Sequence, residues 1–93
     1  MKTLIFAATV IMQVSGEDPE KSKIDVEGPF YTKQICINSY LGQLKSEELS
    51  NKIKLISVFA DAKYLGKLSV KALDIKTGNR FALEVYCKEF QLQ

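Results

Sequence analysis

The 93 residues carry 13 Lys and Arg against 11 Asp and Glu, a formal net charge of +2, with two cysteines and neither histidine nor tryptophan. Without histidine, Ser-His-Asp and Cys-His nucleophilic sites and histidine-bearing zinc centres are excluded. The near balance of charge, with Arg80 the only arginine, argues against nucleic-acid binding, which draws most of its affinity from a concentrated basic face.

The chain opens on "MKTLIFAATVIMQVSG". Met1 and Lys2 are positive, Leu4 to Val14 is apolar apart from Thr9 and Gln13, and Val14-Ser15-Gly16 precedes an abrupt acidic stretch. A positive start, a short apolar run and small residues before a cut make a secretory signal. Residues 1–16 therefore read as a signal peptide cleaved after Gly16. The run is shorter than the roughly 20 apolar residues that cross a bilayer as a helix, so no stable membrane span is expected. The same residues admit another reading, because Thr3, Ile5, Val10, Ile11 and Val14 are strand formers. Residues 3–15 would then be a core strand, although strands usually run about 3 to 10 residues.

After the leader comes one small domain, over residues 24–93. Below roughly 70 to 80 residues a single hydrophobic core seldom supplies more than about 3 to 5 kcal/mol, so a staple is expected. Cys36 and Cys87 are the only cysteines and allow one pairing. In an oxidising compartment, a bridge closing a loop of about fifty residues contributes roughly 4 kcal/mol. A leader makes the disulfide possible and a small core makes it useful, which places the protein in a secreted or periplasmic setting.

Residues 17–23, charged and containing Pro19, read as a mobile tail. Gly28-Pro29 punctuates the entry to "FYTKQICINSY", where β-branched and aromatic residues are dense enough to predict a strand. Ser46 is a candidate N-cap, with Glu47 and Glu48 in the first turn, so a short helix is expected to end near Asn51. "KIKLISVFA" then reads as a strand leading to a turn over Asp61 to Gly66. The last third, "GKLSVKALDIKTGNRFALEVYCKEF", predicts two strands around Thr77-Gly78-Asn79, where glycine supplies a positive φ. Phe81, Leu83, Val85 and Cys87 alternate with Ala82, Glu84, Tyr86 and Lys88. Leu68, Val70 and Ala72 share a face, and a phase slip at Leu73 calls for a bulge near Ala72.

The expected fold is α+β: a small antiparallel sheet of about four strands with one short helix, in the order strand, helix, strand, hairpin, or else a small barrel. On that reading the bridge joins the first strand to the last. Two strand-borne cysteines about fifty apart suggest an immunoglobulin-like sandwich, but there is no tryptophan between them and the tyrosine precedes Cys87 by one position instead of two. The order also allows a cystatin-like sheet around a helix, or the five-stranded barrel of bacterial toxin binding subunits. No motif carries either comparison, so no family is assigned.

The chemistry is read mostly by exclusion. The glycines at 42, 66 and 78 are isolated and form no phosphate loop. Glu47 and Glu48 point in different directions on a helix, unlike a carboxylate pair facing across a cleft. Asp61, Asp74 and Glu84 read as turn and surface residues. No catalytic residues, metal ligands or cofactors are expected. What remains is recognition by surface, for which tyrosine offers large contact area at low entropic cost. Of Tyr31, Tyr40, Tyr64 and Tyr86, the one most open to solvent should be Tyr64, beside Leu65 in the loop "DAKYLGK". Lys63 and Lys67 flank it, and these four residues form the candidate binding site. The leading expectation is a non-enzymatic module that binds another protein, as an inhibitor, immunity factor or toxin-binding subunit does. Two alternatives differ in class: a self-assembling structural subunit, hence a homo-oligomer, and a cytoplasmic, phage-like effector that blocks a host enzyme and keeps residues 3–15 as a core strand.

Overall fold

The computed structural model describes residues 3–14 and 23–92. The expected cut after Gly16 and the tail up to residue 22 lie outside the described residues. Five strands and one helix follow in chain order: β1 (Thr3–Val14), β2 (Lys23–Phe30), α1 (Lys33–Leu49), β3 (Ile53–Asp61), β4 (Lys67–Asp74) and β5 (Arg80–Leu92). The strands form one antiparallel sheet in the order β2-β1-β5-β4-β3. The class is α+β as expected, but the sheet has five strands instead of four, and it is open at β2 and β3 instead of closing into a barrel.

The largest departure concerns "FYTKQICINSY", which is mostly helix. Thr32 is extended (φ −139°, ψ 161°) and its hydroxyl accepts from the Ile35 N–H, capping the first turn. From there Cys36, Ile37, Tyr40, Leu41 and Leu44 fall at helical spacing and turn toward the core. Strand propensity over Tyr31 to Ile37 is overridden because this stripe covers the sheet. Glu47 and Glu48 consequently stand in the last turn of α1, and Ser46, the expected N-cap, instead accepts from the Ser50 N–H near the other end. Asn51 follows in the left-handed region (φ 59°), a common helix stop.

One face of the sheet packs on α1. Ala8, Leu68, Val70, Ala72, Leu83, Val85 and Cys87 are buried there against Cys36, Ile37, Leu44 and Ile53. The alternations predicted for β4 and β5 hold, and Gly78 takes φ 76° in the loop between them. The bulge lies opposite Ala72 on the partner strand: Leu55 pairs with Ala72 and Ser57 with Lys71, leaving Ile56 extra in β3. Cys36 and Cys87 are bridged, with Cα atoms 6.3 Å apart. The bridge therefore ties the helix to the last strand, and not the first strand to the last, because residue 36 is helical.

β1 pairs along its length with β5, from Thr3 opposite Leu92 to Val14 opposite Phe81, and on its other side with β2. The segment with the features of an export leader thus occupies the same residues as this strand. Cleavage after Gly16 and the five-stranded sheet exclude each other in one molecule.

Candidate functional site

The turn between β3 and β4 is built from Asp61 outward. The Asp61 Oδ1 accepts from the Tyr64 N–H at 2.8 Å and the Leu65 N–H at 3.3 Å, an aspartate-nucleated turn. These backbone donors, Tyr64 first, hold the Asp61 carboxyl below its ordinary value of 3.8. From the first turn of α1, the Lys33 ammonium donates to the Tyr64 carbonyl at 3.2 Å.

Gly66 closes the loop. Its φ is +60°, its carbonyl accepts from the Cys87 N–H at 2.7 Å, and a Cβ at this position would lie 2.9 Å from the Cys87 carbonyl oxygen. A side chain would meet both a left-handed backbone and a main-chain atom that cannot swing aside. Cys87 is itself bridged to Cys36, which follows Lys33 by three residues. The loop is therefore braced to the helix through Lys33 and to β5 through Gly66, and the disulfide joins those two supports.

This bracing turns two large side chains outward. Tyr64 is 73 % exposed and Leu65 63 % exposed, and the Lys63 ammonium lies 5.4 Å from the Tyr64 ring centroid. Lys63, Tyr64 and Leu65 thus stand together at the tip of the loop. Lys67 is not part of that tip: it opens β4 on the face away from the helix, with its ammonium 5.5 Å from the Tyr86 ring centroid. There the Tyr86 hydroxyl donates to Glu84 at 3.0 Å and Ser69 donates to the same carboxylate. Asp61 and Glu84 bear out the expectation of turn and surface roles.

Lys33 carries no sequence signal for this role, because the strand formers around it predict a strand, and Gly66 shows none for its bracing part. The aspartate three positions before Tyr64 was the available signal for the turn. The tyrosine most open to solvent is Tyr31 and not, as expected, Tyr64: it stands just before the helix cap, 82 % exposed, because it precedes α1 instead of lying in a strand, whereas Tyr40 packs on Phe30 with ring centroids 6.0 Å apart. The Tyr40 hydroxyl donates to Glu27 at 2.6 Å, and burial followed by this bond pushes its ionisation well above the ordinary 10.0.

At the other end of β4 lies a cleft of about 380 Å³, lined by the apolar Met12, Val14, Ile53 and Phe81 and by the acidic Glu47 and Asp74. The Asp74 Oδ1 is engaged by the Lys76 and Thr77 N–H groups, which makes it a turn residue like Asp61. Among the described residues no helix is long and apolar enough to cross a membrane. No family model, curated protein or solved structure matches this chain.

Proposed function

We propose that this protein is a non-enzymatic module that works outside the cytoplasm, secreted or periplasmic, by binding another protein through the loop between β3 and β4. The observation that carries this reading is the outward presentation of Tyr64 and Leu65 on a turn held by Asp61, Lys33 and Gly66. Side chains on a pre-formed turn lose little freedom on docking, and tyrosine is among the residues that dominate interface energetics, with Leu65 adding apolar area beside it. The Cys36–Cys87 bridge fits an oxidising compartment. None of the bracing groups lies within residues 1–16.

The test compares proteins captured by the native protein and by a Tyr64→Ala/Leu65→Ala variant with unchanged circular dichroism. Loss of a captured protein from the variant alone supports the loop, and an unchanged set dismisses it.

A specific observation favours a second reading. β1 lies between β2 and β5, as a retained first strand requires in a cytoplasmic effector. The intact mass of natively expressed protein, with and without reductant, separates the two. The exported module has lost residues 1–16 and gains two hydrogen atoms, about two daltons, when the reductant opens its disulfide, whereas the effector keeps Met1 and gains none.

A further inference from the structure

Two apolar series in this fold each run into a carboxylate. Along the sheet-facing side of α1, Cys36, Ile37, Tyr40, Leu41 and Leu44 pack into the core, and the next position at helical spacing is Glu47. Glu47 is half-buried, whereas its neighbours Ser46 and Glu48 are exposed. Along β4, Leu68, Val70 and Ala72 are buried on the helix-covered face, and the next residue on that face is Asp74, also half-buried. Both acids line the cleft of about 380 Å³, together with Met12, Val14, Ile53 and Phe81, and among the described residues no Lys or Arg lines it. Strand pairing sets these residues side by side, Val14 opposite Phe81 and Ile53 opposite Asp74.

We propose that this cleft binds a small organic cation, a primary ammonium carried on an aryl or alkyl body. Half-burying a carboxylate without a basic group in the same cleft costs solvation, and an incoming ammonium offsets that cost by charge-assisted hydrogen bonds. An anion would meet two like charges instead. The apolar lining takes the body of the ligand, and the Phe81 ring and the Met12 thioether both favour contact with an aromatic group. Asp74 can serve its turn and the ligand together. Its Oδ1 accepts from the Lys76 and Thr77 N–H groups, and a carboxylate has a second oxygen with which to accept from an ammonium. The volume lies at the small end of the roughly 300 to 1,000 Å³ usual for ligand pockets, which suits a single-ring amine. Met12 and Val14 belong to β1, so the site is a property of the five-stranded molecule, and it does not rest on the function proposed for the loop between β3 and β4.

The experiment titrates the full, oxidised chain with phenethylammonium and follows the backbone amide resonances, with hydrocinnamate as the anionic and phenethyl alcohol as the neutral probe of like shape. The expected result is saturable shifts at Ile53, Thr77 and Asn79, with the ammonium bound at least about tenfold more tightly than either counterpart. Glu47→Gln should weaken the ammonium by about tenfold while leaving the alcohol unchanged. Asp74→Asn, which keeps an oxygen for the turn, should act in the same direction, and Asp61→Asn in the distant turn should have no effect. Equal affinity for the three probes, shifts that do not saturate, or saturable shifts centred elsewhere on the molecule overturn the proposal, as does a Glu47→Gln chain that binds the ammonium like the native one. Should the cleft variants fail to fold, the ranking of the three probes on the native chain decides it.

Discussion

Gly66 and Asp61 show how single residues shape the candidate site by opposite means. Gly66 acts by what it lacks, since any Cβ would sit 2.9 Å from the Cys87 carbonyl oxygen on a left-handed backbone. Gly66→Ala should therefore lower unfolding stability by about 2 kcal/mol in urea titration, more than the usual cost of one surface substitution. Asp61 acts by charge. Its folded ionisation lies below the ordinary 3.8, so its contribution to the turn is whole above that value and is lost as pH falls through the lower, folded one. The Tyr64 and Leu65 amide resonances should shift with a midpoint below 3.8, and Asp61→Asn should remove the transition. A midpoint at or above that value would refute the bracing role. Tyr40→Phe keeps the contact with Phe30 but deletes the bond to Glu27, for an expected loss of about 1 kcal/mol by the same titration.

At the scale of elements, α1 depends on its start and on its tether. The Thr32 hydroxyl accepts from the Ile35 N–H, so Thr32→Ala should cost about 1 kcal/mol and reduce helical ellipticity on mild heating. The tether is the Cys36–Cys87 bridge, which spans 51 residues of sequence. Replacing both cysteines by alanine should remove about 4 kcal/mol in denaturant unfolding, chiefly by freeing the unfolded chain. Because Lys33 and Gly66 stand beside the two bridged residues, the same variant should loosen the loop, read as faster hydrogen exchange at Tyr64 and Leu65.

The molecule as a whole is held by pairings that bring distant parts of the chain together. β1 and β5 lie at opposite ends of the sequence and pair along twelve positions, from Thr3 opposite Leu92 to Val14 opposite Phe81. A chain starting at Glu17 lacks β1, so β2 loses the strand it pairs with among the described residues, and Ala8 is missing from the core. Such a chain should lose β2 from the exchange-protected set while keeping protection in the β3-β4-β5 meander, where the braced loop sits. Full protection of β2 in that chain would show that the sheet closes without β1.

Local pattern was enough for the C-terminal third. Period-2 alternation through Leu68 to Ala72 and Phe81 to Cys87, with glycine between them, specifies a hairpin and its buried face because strand geometry sets both within a few residues. Two cysteines left one possible bridge. The tip at Tyr64 and Leu65 was legible for a similar reason, as a turn bounded by strand patterns and bearing two large apolar residues. Tertiary structure decided the rest. Residues 30–40 carry strand formers, yet Lys33 to Tyr40 are helical because the stripe from Cys36 to Leu44 has a sheet to cover, and that sheet is assembled from segments far away in sequence. The place of β1 and the brace from Lys33 to the loop arise in the same way, since long-range packing outweighs the few tenths of a kcal/mol per residue that separate helix from strand propensity.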